Sequence, residues 1–458
     1  MRTPFIIRPK FYLYATFLLA TLTGQAQTIL DEYISIGLQN NLVLEQKNIS
    51  LERALLSLKI ARGRFMPSVG LQGNYTTGEG GRSITFPVGD MLNPVYSTLN
   101  QLTGSDQFPQ IENVRQNFFP KNFYDAKVRA SMPLFNTDLV YNKKIIQQQV
   151  LLKQFEIDIY KRELVRDIKI AYFSYLSARE GMGIYESALT RAQEGKRVNE
   201  SLLANGKGLP AYVLRSQSEI ETIRAHQTDA ERQAENAKLY FNFLLNRDNQ
   251  SEIDGNFDPN LLLVQIPELL TQETDTRRRE EIKQVQTLKD INSDALKMNQ
   301  LFWSPRVSGF LDLGAQGENM TYNSQSNYYL LGFLVEVPLF AGFTNKNKIE
   351  QSRLDIKSAD LTYTLTNRQL DTGKDFAMNK LITSYQNYLS AQKQLEAAQS
   401  YQKLIDKGYK EGVNTFIESI DARNQLTSAQ FQVNINQYNV LIAEAGLERE
   451  TASYDLNK

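Results

Sequence analysis

Few side chains in this 458-residue sequence are equipped for chemistry. There is one histidine, His226, and no cysteine, which removes thiolate nucleophiles, thiolate metal sites, disulfides and a lipid-bearing N-terminal cysteine. His226 lies in the polar stretch RAHQTDAERQ, where a solvated imidazole is expected rather than a ligand. No glycine-rich phosphate loop is present, so no catalytic residue, metal site or cofactor is expected. The carboxylates offer more. Glu418 and Asp421 are three residues apart and share one face if their segment is helical; two acids so placed either draw cations or are simply solvated. The run RRREE from Arg277 reads as surface charge at a helix start.

The elements that would position these residues begin with an export leader. Arg2, Arg8 and Lys10 precede an apolar run from Phe11 to Leu22, then Gly24 and Ala26, so 1–26 reads as a signal peptide cut before Gln27. Its removal takes three of 51 basic residues and leaves 48 against 51 acidic ones, which gives no reason to expect nucleic acid. No later segment of 18 or more apolar residues follows, so any membrane embedding must use β-strands.

The chain repeats itself. Pro67 in FMPSVGLQGNY matches Pro305 in WSPRVSGFLDL, SMPLFN at 131–136 matches EVPLFAG at 336–342, and ANGKGLPAYVLRSQ from Ala204 matches KEGVNTFIESIDAR from Lys410. About 73 residues separate the PLF proline from the glycine, Gly206 or Gly412, in each half. The first repeat is expected over 27–246, a linker or belt over 247–272, and the second repeat over 273–458.

Prolines divide strands from helices. None of the 13 falls in 134–209 or 339–458, stretches rich in Gln, Glu, Lys, Ala and Leu. Apolar residues recur there in steps of four and three, as at Leu164, Ile168, Ala171, Tyr175 and Ala178, a coiled-coil seam. At 1.5 Å per residue such a helix reaches about 100 Å, a rod for a tube or fibre. Four segments beside the prolines alternate with period two: 65–75, 123–135, 305–314 and 328–340. Tyr124, Ala126, Val128 and Ala130 oppose Asp125, Lys127, Arg129 and Ser131, as lipid and lumen faces of a membrane strand would. Phe65, Phe302 and Trp303 sit just before strands, where either an aromatic girdle or ordinary packing would put them. Residues 76–122 and 315–327 are the turns expected outside the cell, the first a surface loop rather than a domain. Four strands cannot enclose a lumen, and open edges are not tolerated in lipid, so the chain must pool strands with copies of itself; three copies give twelve.

The paired P-x-V strands, the PLF motifs, LQNN in the first helix and YKEGVNTFIESIDARNQL over 409–426 together resemble the TolC-like outer-membrane factors, along essentially the whole mature chain. The resemblance implies a mixed α+β membrane protein: a trimeric twelve-stranded transmembrane β-barrel continued by a periplasmic α-helical coiled-coil barrel. It implies a passive duct in the outer membrane of a Gram-negative bacterium, in contact with its lipid and served by a periplasmic adaptor and an inner-membrane transporter. Tyr409, Gly412, Thr415, Glu418 and Asp421 match the family's tip, where the two acids of each copy would ring the pore with six carboxylates. Asn414 stands where relatives carry an arginine and Tyr212 where an acidic partner is expected, so the family's closing bonds are not carried over. Asn205, Gly206, Lys207 and Glu411, Gly412, Val413 match the adaptor-docking turns, although any helical hairpin needs glycine where the backbone reverses. Eight scattered methionines and one histidine offer no soft-metal relay, which favours drugs or other small molecules as cargo. Polypeptide export remains the alternative duct function. A trimeric surface adhesin is the alternative from another class, but its membrane strands would lie at the C-terminus.

Overall fold

A computed structural model describes residues 29–119, 121–272 and 275–456, so the expected leader lies outside the described residues. Helix α1 covers 29–40, and α2, Leu42–Gly63, restarts because the Asn41 side chain caps it, accepting from the amides of Val43 and Leu44. There follow β1 (Ser68–Thr76), β2 (Ser83–Phe86), α3 (Val88–Thr103), β3 (Val114–Asn117) and β4 (Phe123–Phe135). The long α4 (Thr137–Ala204) starts where Asn136 accepts from the amides of Asp138 and Leu139. Next come α5 (Pro210–Leu244), the single turns α6 (Asn260–Leu263) and α7 (Ile266–Leu269), and α8 (Glu280–Gln300). The chain continues with β5 (Arg306–Glu318), β6 (Asn327–Glu336), α9 (Thr344–Lys410) and α10 (Phe416–Thr451). Among the described residues no helix is long and apolar enough to cross a membrane.

The chain divides into two compact units. One comprises Leu56–Gln147 and Ile291–Leu354. Its sheet has the order β1-β4-β5-β6, antiparallel throughout, so β1 and β6 are its edges. Registers such as Arg129 opposite Asp312 and Val128 opposite Leu313 keep the two faces of adjacent strands in phase. Exposed Leu71, Val128, Leu313, Leu331 and Phe333 form an apolar face. On the other, Arg129 holds Asp312 through two hydrogen bonds of 2.6 Å, and Asp125 accepts from Lys127 and Tyr328. The expected strands shift at their ends: β1 begins at Ser68 rather than 65, β5 runs past 314 to Glu318, and β6 stops at Glu336 rather than 340. The two PLF prolines also differ. Pro133, which has no amide hydrogen, sits inside β4 where the ladder slips between Pro133 and Phe135, whereas Pro338 falls beyond β6.

The expected surface loop 76–122 is instead an ordered insertion. Strands β2 and β3 pair as a ribbon, and α3 lies between them in sequence. Asn93 both donates to and accepts from the backbone of Ile111, and Asn100 does the same with Phe108. Asn113 accepts from the Asp90 amide and donates to its carboxylate. A Cβ on Gly89 would come 2.5 Å from the Ile111 carbonyl, so the strap 105–113 is drawn tightly onto the helix.

The other unit comprises the described residues up to 55, 148–290 and 355 onward. Its core joins Tyr33 and Ile34 of α1, the α4 seam from Leu164 to Leu176, Phe241, Leu381 and the α10 stretch from Tyr438 to Leu447. Gly37 lets α1 approach α4, since a Cβ there would come 2.3 Å from Ile168. The expected linker 247–272 contributes Ile253, Leu263 and Ile266 to this core. RRREE is only partly surface: Arg277 and Arg278 are exposed, whereas Arg279 and Glu280 are buried. Arg279 is only 1% exposed, bonded to Glu281 and, at 2.5 Å, to Glu450; beside it Glu280 pairs with Arg162 at 2.7 Å. Burying a guanidinium without such carboxylates would cost several kcal/mol.

Candidate functional site

The sequence-singled residues converge at two helix reversals in the second unit. Both helices that enter them end the same way. After α4, Gly206 adopts φ +69°, its amide donates to Leu203 O and that of Lys207 to Leu202 O. After α9, Gly412 adopts φ +79°, its amide donates to Tyr409 O and that of Val413 to Gly408 O. This is the Schellman arrangement, which satisfies the last carbonyls and demands a left-handed residue, hence glycine at both. Asn205 and Glu411 occupy the C-cap positions, and the turn residues 205–207 and 411–413 are exposed.

The next helices start differently. Pro210 opens α5 after Leu209, with no side-chain cap. At α10 the Thr415 hydroxyl accepts from the Glu418 amide, while the Glu418 carboxylate takes the Thr415 amide at 2.7 Å and the Asn414 side chain at 3.2 Å. Those donors, the Thr415 amide first, hold the exposed Glu418 carboxyl below its ordinary range. Glu418 is therefore engaged in capping its own helix. Asp421, one turn on, is exposed and accepts only from Gln425 among the described contacts, at 2.7 Å.

Behind the turns lies a polar assembly that links all four helices. Tyr409 donates to Asn199, Asn199 donates to the Ser216 hydroxyl at 2.7 Å, and Ser216 donates to the Tyr212 carbonyl at 2.9 Å. The rings of Tyr212 and Tyr409 both pack on Phe416, with centroids 4.7 and 6.1 Å away. Arg423 of α10 grips Glu219 of α5 at 2.8 and 3.2 Å and donates to Ser419 at 2.8 Å. Next to it a cavity of about 250 Å³ is lined by Arg191, Asn199, Asp406, Tyr409, Ser419 and Arg423. Burial raises the Asp406 carboxyl above its ordinary value, with Arg423 and Lys410 opposing the shift.

The sequence singles out the glycines, Tyr409, Tyr212 and the acids as candidates, but not Arg423, Glu219, Asn199 and Ser216, which the structure places beside them. The Thr415 and Glu418 spacing announces a capping box, whereas nothing local signals a pair 204 residues apart. His226 stacks on Tyr185 with centroids 5.6 Å apart. Among the described residues, no group of three His, Asp or Glu is placed to hold a metal ion.

No curated protein matches the sequence at a significant level. Solved structures do resemble its fold. The outer-membrane channel OprN superposes with a TM-score of 0.73 at 16% identity, over 93% of this chain and 90% of that one. The CmeC outer membrane channel of Campylobacter jejuni gives 0.71 at 14%, over 92% and 85%. The open state of the MtrE outer membrane channel of Neisseria gonorrhoeae gives 0.71 at 16%, over 92% and 88%. The family model for outer membrane efflux proteins matches residues 33–247 and 277–452, one segment per repeat. With most of its length so matched, the chain belongs to the outer membrane efflux protein family.

Proposed function

We propose that the chain is the exit duct of a tripartite efflux system, a homotrimer that passes drugs or other small molecules delivered by an inner-membrane pump and a periplasmic adaptor. The observation that carries this is the four-stranded antiparallel sheet, apolar on one face and charged on the other, with edges β1 and β6, in a chain of the efflux family. Each unsatisfied backbone group in hydrocarbon costs several kcal/mol, so the edges must pair between copies. Three copies make a barrel of twelve strands with Arg129, Asp312, Lys127 and Asp125 toward water. The trimer repeats Glu418 and Asp421 as six carboxylates around the tip, a ring that favours cations. In it Asp421 is the freer charge, because Glu418 is shared with the helix cap. The exposed turns at 205–207 and 411–413 are the surface offered to the adaptor, and proteins of similar fold such as MtrE are outer membrane channels.

Lysine cross-linking in intact cells, followed by mass spectrometry of proteins joined through Lys207, Lys407 or Lys410, tests this. A periplasmic adaptor captured there supports the duct, and the pump recovered with it separates small-molecule efflux from polypeptide export. Self-cross-links alone, under conditions that capture an unrelated periplasmic complex, overturn the adaptor assignment and favour a free-standing pore or adhesin.

A further inference from the structure

The insertion between β1 and β4 has an outward face that water does not suit. Asn93 and Asn100, seven residues apart, share one face of α3 and are sewn to the strap 105–113, with the Tyr96 ring against Phe108 at 5.8 Å. At 3.6 residues per turn Met91, Val95 and Leu102 fall on the opposite side. They form a stripe in which Met91 is 71% and Leu102 79% exposed. A helix anchored this way normally turns polar residues outward; this one turns its apolar ones. Its one charged residue is Asp90, already bonded to Asn113. With no lysine or arginine on the helix, nothing there would hold anionic lipid headgroups. The insertion also leaves from β1, an edge strand, and β2 begins seven residues beyond the end of β1. It therefore sits at the seam where a neighbouring copy must pair.

We propose that the Met91, Val95 and Leu102 stripes of adjacent copies pack against one another, forming a self-associating cap at the outer end of the barrel. This rests on the pooled barrel proposed above. Each stripe is the same surface in every copy, so the contact repeats around the axis without a separate partner. The asparagine clasps keep α3 ordered while its apolar side awaits the neighbour.

The chain has no cysteine, so single thiols report cleanly. In intact cells, oxidation of Leu102→Cys should give disulfide-linked dimers with residual monomer, since three thiols leave one unpaired; Gln107→Cys, on the strap, should remain monomeric. The native mass of the purified protein independently reads the trimer. A Leu102→Cys chain that stays monomeric inside a particle of trimer mass overturns the cap. So does an environment-sensitive fluorophore at that thiol that shifts to the blue only in vesicles containing lipopolysaccharide, which would assign the stripe to lipid. A native mass below the trimer would sink the pooled barrel, and the cap with it. As a second readout, the triple change Met91→Gln, Val95→Gln, Leu102→Gln should increase single-channel conductance in planar bilayers, and an unchanged value counts against the cap.

Discussion

Glu219→Gln removes one charge from behind the tip while keeping the side chain's shape. Arg423 would then lie 7% exposed without its carboxylate, keeping Ser419 and the neutral amide oxygen at 219 as close acceptors. Stranding one member of a buried ion pair costs about 3–5 kcal/mol. Asp406 also attracts Arg423, which points to the lower end, about 3 kcal/mol. Arg423 and Glu219 join α10 to α5, so the loss should appear as local opening of those two helices. At 1.4 kcal/mol per decade, amide hydrogen exchange in 213–222 and 417–427 should quicken about a hundredfold, measured by mass spectrometry on the intact protein. The double change Glu219→Leu with Arg423→Met removes both charges and should recover most of the protection. Exchange in Glu219→Gln within about threefold of the parent would refute the stranded-charge account. A double variant as labile as the single one would assign the effect to packing instead.

Glu444 predicts a pH dependence. Burial lifts its carboxyl to about 7, Lys169 opposing and Glu448 adding to the shift. Lys169 is already held by both oxygens of Glu448. The folded state therefore binds this proton more tightly than the unfolded chain. The group's contribution is complete below about pH 4.5, falls as pH rises toward about 7, and is lost above it. Glu444→Gln should flatten that slope and stabilise the protein above pH 7 by on the order of 2 kcal/mol, a figure kept low because the residue is only part-buried; denaturation midpoints at low and high pH check it. Gly206→Ala and Gly412→Ala should each cost about 1–2 kcal/mol by forcing a side chain into left-handed backbone, seen as faster proteolysis of the turns. Gly183→Ala, in open space within α4, should stabilise by about 0.5–1 kcal/mol. Thr415→Ala should cost about 1 kcal/mol at the start of α10, measured as faster exchange of the Glu418 amide.

What the sequence disclosed was whatever depends on neighbours along the chain. The four strands were legible from alternation, the long helices from proline-free apolar steps, and the two reversals from glycines that have no substitute in left-handed backbone. What escaped depends on contacts across the chain. The Asn, Ser and Pro composition of 76–122 suggests a loop, yet in Asn93 and Asn100 those side chains act as clasps on a backbone strap, a use that composition does not distinguish. Arg279 looks solvent-exposed beside two other arginines, and its burial is made tolerable by Glu281 together with Glu450, 171 residues away. Glu219 and Arg423 were likewise unremarkable members of polar helices. The PLF motifs were correctly matched but not equivalent, because a bulge absorbs Pro133 whereas β6 ends before Pro338.

The helical core has a consequence for how the protein reaches its folded state. It joins residues near 30 to residues near 445, and Arg162 is held by carbonyls of Ala452 and Tyr454. Partners so far apart in sequence are long-range contacts, and ordering the intervening chain must precede their reward. An N-terminal portion alone cannot assemble this core. A chain delivered from its N-terminus would leave the side of α4 that meets α10 uncovered until residues beyond 430 arrive, which makes it dependent on protection from aggregation while it waits.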